Sequence, residues 1–295
     1  MDVFFAILVT GLTNGALYAL ATIGLSLVWG SMGMLNMAHG AMLALGGYVA
    51  FTVAATLGLP IWLGILSAAL VGAVFGAVLY LSVVRILLKS GGPGFETSVM
   101  IATVGISIAL QNTILLVYGG QPLRQPFNVQ GGIALAGGGV MPMLNVVIVV
   151  VSIVVMAVVG LVISRSRMGR AIRATAQNRD AALLMGVPVE RTYLQVLALS
   201  GALAGVCGVL LSSVTQLSPT LGADPMLKAF IMCVVAGLGN LPGAVITAFG
   251  LALIEAGVQF GLGARWGFPV LLMLVIAILI WRPNGLFGRA QIRRM

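Results

Sequence analysis

The sequence PMLNVVIVVVSIVVMAVVGLVI, residues 142–163, runs directly into SRSRMGRAIRATAQNRDAALLMGVPVER, residues 164–191. The first stretch carries no charged residue and is long enough to cross the ~30 Å hydrocarbon core of a bilayer. The second gathers six of the fifteen basic residues of the chain, together with Asp180 and Glu190. Because such a polar block is costly to translocate, we expect it on the cytoplasmic side of a membrane. It is too long and too patterned for a simple turn, which indicates that a cytoplasmic partner binds it.

The composition extends this reading to the whole chain. Of its 295 residues, 60 % are hydrophobic and only 7 % are charged, whereas soluble domains carry roughly 25 % charged residues. The net charge of +9 does not indicate a nucleic-acid partner, because the basic residues lie at the ends of apolar stretches. Smooth stripes such as Gly72 with Gly76, or Gly201 with Gly205 and Gly208, suit close helix packing in lipid. The composition therefore predicts an all-α, polytopic integral membrane protein.

Hydropathy predicts about nine transmembrane helices in a single membrane domain that comprises residues 1–295. The apolar stretches lie near residues 3–29, 36–58, 61–84, 97–118, 142–163, 193–216, 225–240, 243–262 and 266–282. Basic residues close the third and fifth stretches and follow the last one, so we expect these three regions in the cytoplasm. This places the N-terminus outside and the C-terminus inside.

The seventh stretch, residues 225–240, is the one whose path is ambiguous. Its apolar part, Ala229–Leu238, is short for a full crossing, and a re-entrant helix is the alternative. If this segment did not cross, the last two spans would invert and the basic C-terminus would emerge outside. The charge distribution therefore favours nine crossings, with eight crossings plus one re-entrant segment as the alternative.

The sequence lacks the motifs of ordinary enzymes. Its two lysines, Lys89 and Lys228, lie outside any GxxxxGK[ST] sequence, so no P-loop is present to hold ATP phosphates. The single histidine, His39, and the scattered carboxylates do not have the spacing of metal ligands. We therefore expect no catalytic residues, no metal and no cofactor.

Polar residues within the apolar stretches are candidates for a transport path. Asn36 and His39 stand three apart in a glycine-rich stretch; either they line the path, or Asn36 caps a helix and His39 bonds a backbone carbonyl. Glu255 is isolated in its span and serves either in the path or in a structural hydrogen bond. Asp224 and Lys228 have the i, i+4 spacing of a helical ion pair, which we expect near the outer membrane face.

Four motifs, taken in order, resemble the signatures of one transporter family. They are GLSLVWGSMGMLNMAHGAMLALGGY (residues 24–48), MGRAIRATAQNRDAALLMGV (168–187), GLGNLPGAVITAFGLALIEA (237–256) and WRPNGLFG (281–288). All four are similar to segments of the permease subunits of Liv-type ABC transporters, which import branched-chain amino acids. The resemblance extends over essentially the whole chain.

The resemblance implies a permease subunit of a binding-protein-dependent importer in the cell inner membrane. We expect the importer to carry small polar solutes, namely amino acids. The partners of this subunit would be a second, related permease, two cytoplasmic ATPase subunits, a periplasmic or lipid-anchored solute-binding protein, and membrane lipid. ATP hydrolysis would take place on the partner subunits. Related permeases serve urea and short amides, so the solute stays open.

The resemblance also implies that the loop 164–192 carries a coupling helix that docks on the ATPase. The residues that match the family's loop are Gly169, Arg170, Arg173, Ala174, Asn178, Asp180, Ala181, Ala182 and Gly186. The ordered alanines and leucines predict a helix over Ala174–Met185 with one face small enough to enter a groove.

Two other classes of transport protein remain open. An ion-coupled secondary transporter would need several ionisable residues within the membrane, and only Glu255 and the 224/228 pair are available. A passive channel would need a polar selectivity filter, which we do not recognise in the sequence. Neither alternative accounts for the arginine-rich loop.

Overall fold

The computed structural model describes residues 2–90, 94–126, 131–134 and 140–288, and its regular secondary structure is helical apart from one short antiparallel pair of strands. The helices are α1 (Asp2–Met32), α2 (His39–Phe51), α3 (Ile61–Leu79), α4 (Arg85–Ser90), α5 (Phe95–Tyr118), α6 (Met143–Arg165), α7 (Arg167–Gln177), α8 (Arg179–Leu184), α9 (Val189–Val214), α10 (Ala223–Ala236), α11 (Leu241–Leu262) and α12 (Gly267–Trp281). The strands are β1 (Gly132–Ala134) and β2 (Val140–Pro142). One π-helical turn, Thr52–Thr56, extends α2; a second, Tyr80–Val84, joins α3 to α4; and a 3₁₀ turn, Ala264–Trp266, precedes α12.

Eight helices in the described part of the chain are long and apolar enough to cross a membrane. They are Val3–Met32, His39–Thr56, Ile61–Lys89, Phe95–Tyr118, Met143–Arg165, Val189–Val214, Leu241–Leu262 and Ala264–Trp281. The prediction of an all-α, multi-pass membrane protein is confirmed. α10 is too short for this set, because its 14 residues span only about 21 Å.

The helices run between two ends of the bundle. We call the end at which α1 begins the N-terminal face, and the end at which α1 finishes the C-terminal face. α11 is antiparallel to α1: Gly11 packs on Leu253, Gly15 packs on Phe249, and Gly30 contacts the residue Gly239 just before α11. α11 therefore begins at the C-terminal face and runs to the N-terminal face.

α9 occupies the centre of the bundle and is the most thoroughly buried of the spanning helices. Ser200 Oγ donates to the carbonyl of Gly24 at 2.8 Å, and Cys207 Sγ donates to that of Leu17 at 3.3 Å, so α9 is antiparallel to α1. A Cβ added to Gly201 or Gly205 would collide with the main chain of α3. The predicted role of the glycine stripes is thus helix packing at backbone contact distance.

The second passage through the bundle is only partly helical. After α1 ends at the C-terminal face, the chain turns back through residues 33–38, and α2 begins at His39. His39 Nε2 lies 3.2 Å from the carbonyl oxygen of Ala21, in the body of α1. α2 therefore starts inside the bundle, and it continues to the N-terminal face.

The passage formed by α10 has the same construction in the opposite direction. α9 ends at the N-terminal face, residues 215–222 run back into the bundle, and α10 begins where Gly222 contacts the backbone of Gly40. α10 ends at the C-terminal face, where the Leu286 amide donates to the carbonyl of Val235 at 2.7 Å. The two partly helical passages, which contain α2 and α10, thus meet near the start of α2.

The structure corrects the prediction of a helical span over residues 225–240. The helix is Ala223–Ala236, and the remainder of the passage is the non-helical segment 215–222. A re-entrant segment would return to the face from which it came, whereas this one joins opposite faces. Counted over the described residues, the chain makes nine passages, of which eight contain a helix of spanning length.

Candidate functional site

A cluster of charged side chains joins α1, α10 and α11 inside the bundle. Lys228 Nζ lies 2.8 Å from Glu255 Oε1 and 3.2 Å from Asp224 Oδ2, and it donates to the hydroxyl of Tyr18 at 2.9 Å. An ammonium group has three N–H donors, so these contacts use its full capacity. The lysine of α10 is thereby fixed to both neighbouring helices. We call these four residues the ionic cluster.

The members of the ionic cluster differ sharply in burial. The side chain of Glu255 is 2 % exposed and that of Lys228 is 9 % exposed, but the side chain of Asp224 is 67 % exposed. Gln259 Nε2 also donates to Glu255 Oε1, at 3.2 Å. Glu255 Oε2 is buried and has no hydrogen-bond partner among the described residues. The cluster therefore contains one enclosed carboxylate and one open carboxylate, both in contact with the same buried lysine.

The depth of the ionic cluster differs from the sequence prediction, which placed Asp224 and Lys228 near the outer membrane face. Tyr18 lies sixteen residues after Asp2 and fourteen before Met32 in α1, or about 24 Å and 21 Å along the helix axis. The lysine that bonds Tyr18 is therefore at half depth. The difference arises because the non-helical residues 215–222 carry the chain into the bundle before α10 begins, and hydropathy does not locate such a segment.

Asn36 and His39 are both buried in structural hydrogen bonds. The imidazole of His39 lies between the Ala21 carbonyl, 3.2 Å from Nε2, and the hydroxyl of Ser200, 3.4 Å from Nδ1. Asn36 Oδ1 accepts from the amide of Ala38 at 3.0 Å, which stabilises the turn before α2 rather than capping α2 itself. In this conformation both side chains are enclosed, and Asn36 Nδ2 has no hydrogen-bond partner among the described residues.

The arginine-rich block forms two helices, α7 and α8, at the C-terminal face. Ser166 Oγ accepts the amide of Gly169 at 3.0 Å and caps α7. Asn178 interrupts the helix with an extended backbone, and its Oδ1 accepts the amide of Ala181 at 3.0 Å to cap α8. The predicted single helix over Ala174–Met185 is wrong, because the asparagine side chain competes with the helical hydrogen bonds at this position.

α7 is fixed to the end of α6. The backbone of Gly169 packs directly on Ile163, where a Cβ would collide with the main chain, and the guanidinium of Arg173 donates to the Ile163 carbonyl. Gly186 has a φ of +80°, which a residue with a side chain rarely adopts, and it ends the turn after α8. Three of the family-matched residues, Gly169, Arg173 and Gly186, thus stabilise the corner that α7 and α8 form at the end of α6.

The outer surface of this corner is partly apolar. Leu184 and Met185 are 88 % and 85 % exposed, beside the exposed Ala181 and Asp180. Of the other matched residues, Arg170 is exposed, Ala174 is half-buried and Ala182 is buried. Sequence reasoning did not select Leu184 or Met185, although two adjacent apolar residues in an arginine-rich loop were a usable signal. We call Ala181, Leu184 and Met185 the α8 tip.

Two cavities open beside α7. One of about 730 Å³ is bounded by α1, α6, α7 and the loop between α10 and α11, and Arg173 lies in its wall. The other, of about 370 Å³, has Arg179 in its wall and shares Gly30 and Leu238 with the first. In the described part of the chain, no group of three His, Cys, Asp or Glu side chains could hold a metal ion.

Comparison with known proteins shows similarity over almost the full chain. Residues 7–280 match the family described as "Branched-chain amino acid transport system / permease component". The chain is 33 % identical to the high-affinity branched-chain amino acid transport system permease protein BraD of Pseudomonas aeruginosa, over 98 % of this chain and 97 % of the relative. It is 32 % identical to the corresponding LivH protein of Escherichia coli, over 97 % and 96 %.

A more distant relative is also similar over most of its length. The probable branched-chain amino acid transport permease protein LivH of Methanocaldococcus jannaschii is 27 % identical, over 92 % of this chain and 89 % of the relative. No solved structure matches the chain.

Proposed function

Because the chain belongs to the family of permease components of branched-chain amino acid transport systems, we propose that it forms half of the translocation pathway of an ATP-driven importer of amino acids. Branched-chain amino acids are the proposed solutes, since both bacterial relatives are named for them. The observation that carries the proposal is the α8 tip, an exposed apolar surface on a corner that is rigidly attached to the membrane helices. Such a surface suits a partner that moves the permease.

The orientation of the proposed importer follows from the arginines. The six arginines of residues 164–191 lie in and around α7 and α8, at the C-terminal face. Arg85 and Lys89 lie at the same end and both pair with Glu190. The positive-inside rule then assigns the C-terminal face, with the C-terminus, to the cytoplasm of the cell that carries the protein in its inner membrane.

The proposed partners at the cytoplasmic face are two ATPase subunits. Exposed apolar side chains on a short helix fit a groove on a partner, and Leu184 and Met185 supply them. A force on α8 passes through α7 to α6, because Gly169 and Arg173 hold α7 against Ile163. The loop 164–192 would in this way convert ATP hydrolysis on the partner into movement of the membrane helices.

The remaining proposed partners are a second, related permease and a solute-binding protein on the opposite face. Half a pathway requires a second half, and the described helices α5, α6 and α12 leave many apolar side chains exposed to lipid or to such a subunit. The binding protein, periplasmic or lipid-anchored, would deliver the solute to the N-terminal face.

Reconstitution tests the proposal directly. The permease would be placed in liposomes with its second permease, ATPase subunits and binding protein, and uptake of labelled leucine would be measured with and without internal ATP. We expect uptake that requires both the ATPase subunits and ATP. Leucine uptake by the permease alone would contradict the proposal, and ATP-dependent uptake of urea with no uptake of leucine would contradict the proposed solute.

A further inference from the structure

Asp224 is an open carboxylate at half depth in a membrane protein. It stands in the first turn of α10, next to Gly222, which contacts the start of α2. The exposed neighbours on this surface of α10 are Ala223 and Leu227. A charged side chain inside the hydrocarbon of a bilayer is costly unless it faces protein or a water-filled cavity. A side chain of this kind is therefore not expected to face lipid.

The ionic cluster stays inside the hydrocarbon at either extreme position of α1 in the bilayer. The 31 residues of α1 span about 46 Å, against a hydrocarbon core of ~30 Å. Even if the whole excess of about 16 Å protruded from one face, Tyr18 would remain about 5 Å or more inside the hydrocarbon. Since Tyr18 bonds Lys228 and Lys228 contacts Asp224, the open carboxylate is also inside.

The ionic cluster is arranged so that Asp224 can accept another cation. Lys228 is held from behind by Glu255 and Tyr18, so it keeps two partners if its 3.2 Å contact with Asp224 lengthens. Glu255 Oε2, buried and without a partner among the described residues, can take the released N–H. With both carboxylates ionised, one lysine between two acids leaves the group with a charge of −1. The excess charge is on the open side.

We propose that the Asp224 carboxylate lines the water-filled solute path and is a transient binding site for the ammonium group of the transported solute. The inference rests on the proposed function and adds the feature of the solute that the membrane domain recognises. An arriving ammonium replaces the contact of Lys228 with Asp224, and Lys228 turns to Glu255. When the solute leaves, Lys228 returns to Asp224 and the site is neutralised again. A solute without a positive charge, such as urea, gains nothing from this exchange.

Cysteine accessibility tests whether Asp224 faces water. The two native cysteines, Cys207 and Cys233, are buried and would first be replaced by alanine. Asp224→Cys would then be compared with Val154→Cys, at mid-length of α6 on an exposed and wholly apolar surface. The assembled importer, in membrane fragments open on both sides, would be treated with trimethylammonium-ethyl methanethiosulfonate, a permanently cationic thiol reagent.

We expect the cysteine at 224 to react about tenfold faster or more, because the thiolate is the nucleophile and forms only in polar surroundings. Equal, slow reaction at both positions would overturn the proposal, because Asp224 would then be covered by lipid or by the second permease.

Measurements of uptake distinguish a carboxylate that binds the solute from one that is only exposed to water. In the assembled importer, Asp224→Asn is expected to lower maximal leucine uptake at least tenfold, with Asp224→Glu retaining most of it. Glu96→Gln, which removes an exposed carboxylate from the first turn of α5, is the control and is expected to transport normally. Normal uptake by Asp224→Asn would overturn the binding role. If the parent importer itself transports no amino acid, the proposed function fails instead.

Discussion

Lys228 Nζ lies 2.8 Å from Glu255 Oε1, in an ion pair that connects α10 to α11 and is almost fully enclosed. The two residues are 27 positions apart in sequence. α10 needs such an attachment, because it follows a non-helical segment and is too short to cross by itself. The pair therefore fixes the position of the discontinuous passage, and the hydroxyl of Tyr18 completes the attachment on the side of α1.

Removal of one partner of this pair is expected to destabilise the membrane domain. Glu255→Ala leaves a buried ammonium without its main counter-charge, and a change of this kind lowers the free energy of unfolding by about 3–5 kcal/mol. The double variant Lys228→Met/Glu255→Ala should recover part of this loss, because the buried ammonium is removed together with its enclosed counter-charge and only the exposed Asp224 loses a partner. Thermal unfolding of the purified protein in detergent measures both effects. If the double variant is as unstable as the sum of its two single variants, the two side chains do not interact.

The glycine contacts between α3 and α9 are expected to be essential for assembly. Gly205→Ala places a Cβ against the main chain of Ala68, and the two helices must separate to admit it. Gly257→Ala is the matched control, since a Cβ at this helical position meets no atom. We expect a clear drop in the melting temperature for the first variant and none for the second. Equal melting temperatures would show that α3 and α9 are not in backbone contact.

Added bulk on the α8 tip is expected to impair coupling. Ala181 is exposed, so Ala181→Trp should leave the membrane helices undisturbed while preventing close approach of the ATPase. The variant should insert at the normal level, with sharply reduced uptake and weakened or uncoupled ATPase association. Co-purification with the ATPase subunits and uptake assays measure the two effects. Transport at the parental rate would make this segment a solvated loop.

Loss of apolar surface from the same tip is expected to have a similar effect. Leu184 is 88 % exposed, so Leu184→Ser removes a docking side chain without opening a cavity in the permease. We expect the ATPase subunits to co-purify less with this variant. Leu57→Ser, at an exposed leucine beyond the other end of the bundle, is the control and should bind the ATPase as the parent does. Equal binding by the two variants would exclude Leu184 from the interface.

The orientation of the chain is expected to place Asn178 in the cytoplasm. On the background without native cysteines, Asn178→Cys should not react with an impermeant thiol reagent added to intact cells, but should react in inside-out vesicles. Leu59→Cys, in the short connection between α2 and α3, should give the opposite pattern. Labelling of the cysteine at 178 from outside intact cells would reverse the topology and remove the cytoplasmic ATPase from the proposal.

Long, regular features could be predicted from the sequence because each is decided locally. The stretch 142–163 is apolar over the thickness of a bilayer, and α6 occupies Met143–Arg165. The stripes at Gly72 and Gly201 predicted close packing, and the backbones of these two residues are in contact. The break at Asn178 was the exception, because the alanines and leucines around it favour one continuous helix and a single side-chain hydrogen bond decides against it.

By itself the sequence determined the class of protein: a helical, multi-pass membrane domain with an arginine-rich loop at one end, since length, hydropathy and charge are additive properties of neighbouring residues. Only the tertiary structure decided the depth of α10, the enclosure of His39 and Asn36, and the pairing of Lys228 with Glu255. Each of these depends on where a non-helical segment returns into the bundle. That path is fixed by contacts between distant parts of the chain, such as Gly40 with Gly222, which no local pattern encodes.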